Sequence, residues 1–147
     1  MSISGKVLKC PRSTVSFILL AAALQVPVAE AANITVVVKS APKKCGPLLV
    51  AIYDSQEVFL EQPTYRGMSE HAKGATVEFK DLPSGQYAVS AFCDNNNNGD
   101  IDRGAFGRPI EPNGISRGAK GRNAPPRFQD AAIQLGTTDI VVPLKIR

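Results

Sequence analysis

Five short runs rich in apolar residues punctuate this chain beyond its first thirty residues, and their spacing limits what it can become. Asn33 to Lys39 (NITVVVK) is dense in β-branched residues, and Leu48 to Tyr53 (LLVAIY) is almost wholly apolar. Ala75 to Phe79 (ATVEF) alternates outward and inward residues, and Gln86 to Cys93 (QYAVSAFC) sets Tyr87, Val89, Ala91 and Cys93 on one face. Ile140 to Ile146 (IVVPLKI) closes the chain. Runs of this length, with period 2 or no helical period and with turn residues at their ends, predict strands. Ala131 to Leu135 is read as a sixth strand, hairpinned to Ile140–Ile146 through Gly136-Thr137-Thr138-Asp139. The expected fold class is therefore all-β. The 12 glycines and 11 prolines among 147 residues supply the turns, and the length allows one domain. Residues 56–74 are expected to be mixed, with Glu57-Val58-Phe59-Leu60 as one helical turn tucking Phe59 and Leu60 inward. Arg103 to Gln129 reads as one long Gly/Pro-rich loop anchored by Phe106 and Phe128.

The N-terminal segment reads as a targeting signal rather than as structure. Lys6, Lys9 and Arg12 precede the apolar run Val15 to Leu24, and Ala29-Glu30-Ala31 is a small-x-small cleavage site. Residues 1–31 are expected to be removed, leaving a domain over residues 32–147 that is periplasmic or secreted. The apolar run is too short to span a bilayer, so no membrane span is expected after cleavage. The signal holds three of the 17 basic and one of the 13 acidic residues, so its loss lowers the net charge from +4 to +2. That balance argues against a nucleic-acid partner.

The stretch Asp94-Asn95-Asn96-Asn97-Asn98-Gly99-Asp100-Ile101-Asp102 carries the chemistry. Oxygen-bearing side chains at every other position around a glycine match the spacing with which a calcium loop surrounds a hard cation. Asp94, Asn96, Asn98, the Asp100 carbonyl and Asp102 are the candidate Ca²⁺ ligands. The closing glutamate is replaced by Ala105, so Glu111, the nearest downstream carboxylate, or water must complete the shell. The other reading is a metal-free turn, since Asn and Asp bond their own backbone.

Two cysteines, Cys45 and Cys93, remain after processing. An even number in an exported chain suggests a disulfide, and two separate buried thiols are the alternative. Arg117, Lys120, Arg122 and Arg127 form a basic stretch without an intervening acid. It is either an anion-binding surface for a glycan, phosphate or lipid head group, or a solvated loop. Catalysis is not expected. His71 is the sole histidine and lies in a polar stretch without a nucleophile elbow. Zinc is poorly served by one histidine and two cysteines expected to pair with each other. A hydrolase using the acidic loop is the weakest alternative.

Leu82-Pro83-Ser84-Gly85-Gln86-Tyr87-Ala88-Val89 followed by Asp94 to Asp102 resembles the DUF2141 family of uncharacterised bacterial exported proteins. Phe106-Gly107-Arg108-Pro109, Glu111 to Ser116 and Ala124 to Ala131 are similar to further segments of that family. The sequence departs from the family at Cys93, Asn113, Ile115 and Ala124. The resemblance implies a single antiparallel β-sandwich of about six to seven strands, transthyretin-like or carboxypeptidase-regulatory-like. It implies no activity. The expected role is a non-enzymatic module whose Ca²⁺ loop orders a surface for a protein or glycan partner in the cell envelope.

Overall fold

The computed structural model describes residues 30–147; of the expected signal, residues 1–29 lie outside the described residues. Eight strands follow in order: β1 (Ala31–Ser40), β2 (Leu48–Tyr53), β3 (Tyr65–Ser69), β4 (Thr76–Pro83), β5 (Gly85–Cys93), β6 (Asn113–Ile115), β7 (Ile133–Leu135) and β8 (Ile140–Lys145). They form two sheets. One runs β4-β1-β8, the other β3-β2-β5-β6, with β7 also beside β5. The all-β, two-sheet architecture expected from the sequence is present.

Alternation builds the core. Along β1 the residues Ala32, Ile34, Val36 and Val38 point inward and are buried, and β4 adds Val77, Phe79 and Leu82, while β8 adds Val142 and Leu144. The facing sheet contributes Leu48, Val50 and Ile52 from β2 and Tyr87, Val89, Ala91 and Cys93 from β5. Period-2 side chains from two facing sheets interdigitate, which is the packing that buries both inner faces at once. A second, smaller cluster lies on the outer face of β2 and β5, where Tyr53, Phe59 and Phe128 meet edge to face at 5.4 and 5.8 Å. The turn at residues 56–62 and the single helical turn α1 (Phe128–Ala131) cover that face.

Several expectations need correction. The sheets are not purely antiparallel, because β1 and β8 pair in parallel. The expected hairpin at residues 131–146 does not form. Ala131 ends α1, β7 pairs with β5, and β8 pairs with β1 in the other sheet, so the Gly136–Asp139 link crosses between layers. Leu135 and Leu144 thus enter the core from opposite sheets. Phe128 anchors its segment, but Phe106 is 100% exposed at the tip of a loop. The long connection also contains β6 and two 3₁₀ turns, Ala105–Gly107 and Ser116–Gly118.

Candidate cation loop and basic cleft

β5 delivers its last residue, Cys93, to a disulfide with Cys45, whose Cα lies 5.1 Å away. The bond ties the segment before β2 to the start of the acidic loop. Two hydrogen bonds reinforce it: Asp94 N–H donates to the Pro47 carbonyl (2.9 Å), and Gly46 N–H donates to Asn95 Oδ1 (2.9 Å). The approach is so close that a Cβ at Gly46 would collide with the Asp94 carbonyl. Glycine is required there for lack of a side chain.

The loop then folds onto its own oxygens. Asp94, 4% exposed, accepts the Asn98 N–H at Oδ1 (3.1 Å) and the Gly99 N–H at Oδ2 (2.9 Å). Asn96 Oδ1 accepts the Asn98 N–H (3.1 Å), and Asn98 Oδ1 accepts the Asp100 N–H (2.9 Å). The two amide groups point the other way, and both donate to Asp102: Asn96 Nδ2 to Oδ2 at 2.6 Å and Asn98 Nδ2 to Oδ1 at 3.0 Å. Glu111, 7% exposed, spans both ends, taking the Asn95 N–H at Oε1 (2.8 Å) and the Asp102 N–H at Oε2 (3.1 Å). A strand-like return makes this possible, since Ile110 N–H donates to the Asp102 carbonyl and Arg103 bridges Pro109.

Asp94, Asn96, Asn98 and Asp102 are thus held in one hydrogen-bonded network with Glu111, nine residues beyond Asp102, and Asp100 enters that network through its N–H. The donor set consists of hard oxygens. The Asp94, Asp102 and Glu111 carboxylates are each also engaged by N–H groups, and among the described residues no three His, Cys, Asp or Glu side chains gather as a metal-holding group.

Between the sheets a second feature opens. β6 and β8 are the neighbouring outer strands of their sheets, joined at one end where Asn113 and Arg147 exchange N–H···O bonds of 3.0 and 3.1 Å. Gly114 passes so close that a Cβ would meet the Lys145 carbonyl. Along β5 the outer ladder passes from β6 to β7, and Ser116 fills the gap. Its buried hydroxyl accepts the Val89 N–H (3.0 Å) and donates to the Ala131 carbonyl (2.6 Å). Beside it lies a cleft of about 620 Å³, lined by Ile115, Ile133, Ile140 and Val142 and by the cations Arg117, Lys120, Lys145 and Arg147.

The four basic residues singled out in the sequence do not all line one cleft. Arg117 and Lys120 line this cleft, whereas Arg122 does not. Arg127 lines a separate cleft of about 320 Å³ and pairs with Asp130 at 3.2 Å. The Arg127 hydrogen bond holds the Asp130 carboxyl below the usual carboxylate range. Arg117 Nη1 donates to the Ala132 carbonyl at 3.2 Å, which fixes its guanidinium beside the cleft. Lys145 and Arg147 are not among the basic residues the sequence singles out; the available signal was their spacing of two, with Lys145 ending β8 and Arg147 two residues on.

Fold and site together define a disulfide-tied two-sheet β-sandwich with a clamped Asp/Asn loop. The chain belongs to the DUF2141 family, described as an uncharacterized protein conserved in bacteria, whose model matches residues 36–142. No curated protein and no solved structure matches the chain.

Proposed function

We propose that the protein is an exported, non-enzymatic module of the cell envelope, periplasmic or secreted, whose Asp94–Asp102 loop takes up Ca²⁺ and thereby sets a partner-binding surface. The observation that carries this reading is the pair of amide N–H₂ groups aimed at the Asp102 carboxylate. They stand where a cation would neutralise that charge. The other oxygens fit a hard ion. An amide oxygen has two lone pairs and a carboxylate about four, so Asn96, Asn98, Asp94 and Glu111 keep acceptor capacity beyond the bonds they already make. Ca²⁺ would displace the two amides from Asp102 and draw these oxygens together.

The consequence is mechanical. Glu111 holds the loop and lies two residues before β6, so an ion that tightens the loop also fixes the strand bordering the basic cleft. The reading as a non-enzymatic module is supported by how the carboxylates are employed. Asp94 and Glu111 each accept two backbone N–H groups, and His71 is exposed beyond β3. Export rests on the N-terminal signal pattern, and cutting after Ala31 would leave every buried residue of β1 in place.

Thermal midpoints in CaCl₂ and in EDTA test the site. Extracellular modules bind at ~10⁻⁴–10⁻³ M, and tenfold excess over Kd adds about 1.4 kcal/mol. A midpoint raised by calcium in the wild type and not in Asp102→Ala supports the reading. Equal midpoints in both solutions sink it.

A further inference from the structure

The geometry points to the cleft between β6 and β8 as a binding site for a single-chain amphiphile with an anionic head group. Its position explains why it is open. β8 has a ladder to β1 on one side only, and β6 covers only Ser90–Phe92 of β5, so the two sheets meet at the Asn113–Arg147 pair and separate beyond it. The separation leaves apolar side chains incompletely covered. Ile115, Ile133 and Ile140 are half-buried, and Val141 is 64% exposed. Binding sites for small ligands are concave, mostly apolar and roughly 300–1,000 Å³, and this cleft, at about 620 Å³, lies within that range.

Charge selects the class of ligand. Arg117, Lys120, Lys145 and Arg147 rim the cleft, no Asp or Glu residue lines it, and none of the four has an Asp or Glu within ion-pair distance among the described residues; Asp130, which pairs with Arg127 outside the cleft, feels the charge of Arg117 at longer range. Four cations with no Asp or Glu in the lining leave the rim net positive, and an anion placed among them relieves their mutual repulsion. A purely ionic ligand would leave the isoleucines wet, and an uncharged hydrocarbon would leave the cations unmatched. A carboxylate, phosphate or sulfate head on an acyl chain satisfies both, with the chain along Ile115, Ile133, Ile140 and Val142 and the head at the basic rim. Arg117 is pre-set for this role, since its bond to the Ala132 carbonyl orders the guanidinium before any ligand arrives. This inference concerns a different surface from the acidic loop and stands whether or not that loop takes Ca²⁺.

The test is calorimetric titration of the protein with sodium dodecanoate below its micelle concentration, with dodecan-1-ol, sodium acetate and an oligoglutamate peptide as comparisons. Saturable one-site binding of dodecanoate is expected, at least about tenfold tighter than dodecanol, with no measurable acetate binding. The combined substitution Lys120→Glu/Lys145→Glu, at two exposed positions, should weaken dodecanoate by about tenfold or more. Val141→Asp, which sets a carboxylate beside the acyl path, should weaken it independently. The proposal is overturned if dodecanoate shows no saturable heat, if dodecanol binds equally well, or if both variants keep the wild-type melting midpoint and the wild-type affinity. Tighter binding of oligoglutamate than of dodecanoate would also overturn it, because the rim would then be a polyanion surface that makes no use of the apolar floor.

Discussion

Replacing Glu111 by glutamine probes the clamp on the acidic loop. The wild-type carboxylate accepts two backbone N–H groups, from Asn95 at 2.8 Å and from Asp102 at 3.1 Å, and is 7% exposed. Glutamine keeps one acceptor oxygen and turns the other into an N–H₂ donor that faces a donor. One charge-assisted hydrogen bond, worth about 1.5–3 kcal/mol, is therefore lost, and the other is weakened by loss of the charge. The cost should fall on the loop before it falls on the domain, since Asp94 and the disulfide still hold the entrance. Local opening free energy is read by amide hydrogen exchange, and about 2 kcal/mol corresponds to roughly thirtyfold faster exchange. Glu111→Gln should accelerate exchange at the Asn95 and Asp102 amides by about that factor, while the Val36 and Val89 amides change only with global stability. Unchanged protection at Asn95 and Asp102 would refute the argument that Glu111 closes the loop.

Three further outcomes follow from the same contacts. Cys45→Ser/Cys93→Ser opens a 48-residue loop, so about 4 kcal/mol should be lost in urea unfolding; two free thiols in the unreduced wild type would contradict this. Ser116→Ala leaves the Val89 N–H and the Ala131 carbonyl buried without that partner, which should cost about 2–3 kcal/mol or roughly 10 °C in melting midpoint, and a loss under about 0.5 kcal/mol would show that water replaces the hydroxyl. Burial pushes the Tyr53 phenol above its ordinary value of 10.0, and the Ser90 bond only partly offsets this. The folded state thus favours the neutral phenol, so stability that is constant below pH 10 should fall as pH rises from there toward the folded value. Tyr53→Phe should reduce that alkaline slope in urea midpoints, and an identical slope would remove Tyr53 as its source.

Much of the sandwich is legible because burial on one face writes a period of two into the chain. β4 and β5 carry it, whereas β1, β2 and β8 show themselves as short β-branched or apolar runs without a helical period, and the five lie where the sequence reading puts strands. β3 is different. Its YRGMS sequence lies at a sheet edge, no residue in it is fully buried, and the alternation is too faint to separate from a loop. β6 has three residues, and its place depends on contacts with β5 and with Arg147 at the chain's end. The pairing of β1 with β8 could not be inferred locally, because parallel partners are joined through a hundred intervening residues. The acidic loop was legible for the opposite reason, since its oxygens come from consecutive alternate positions. The basic cleft was only half legible. Arg117 and Lys120 announce themselves as neighbours, whereas Lys145 and Arg147 join them only after the chain has crossed between sheets.

Calorimetric titration of the mature domain with CaCl₂, repeated with Asp102→Ala, tests the central claim most directly. A saturable one-site isotherm with a Kd of ~10⁻⁴–10⁻³ M, abolished by the substitution, is the predicted result. Absence of saturable heat at millimolar calcium in the wild type would contradict it and leave the Asn96 and Asn98 amides as the permanent partners of Asp102.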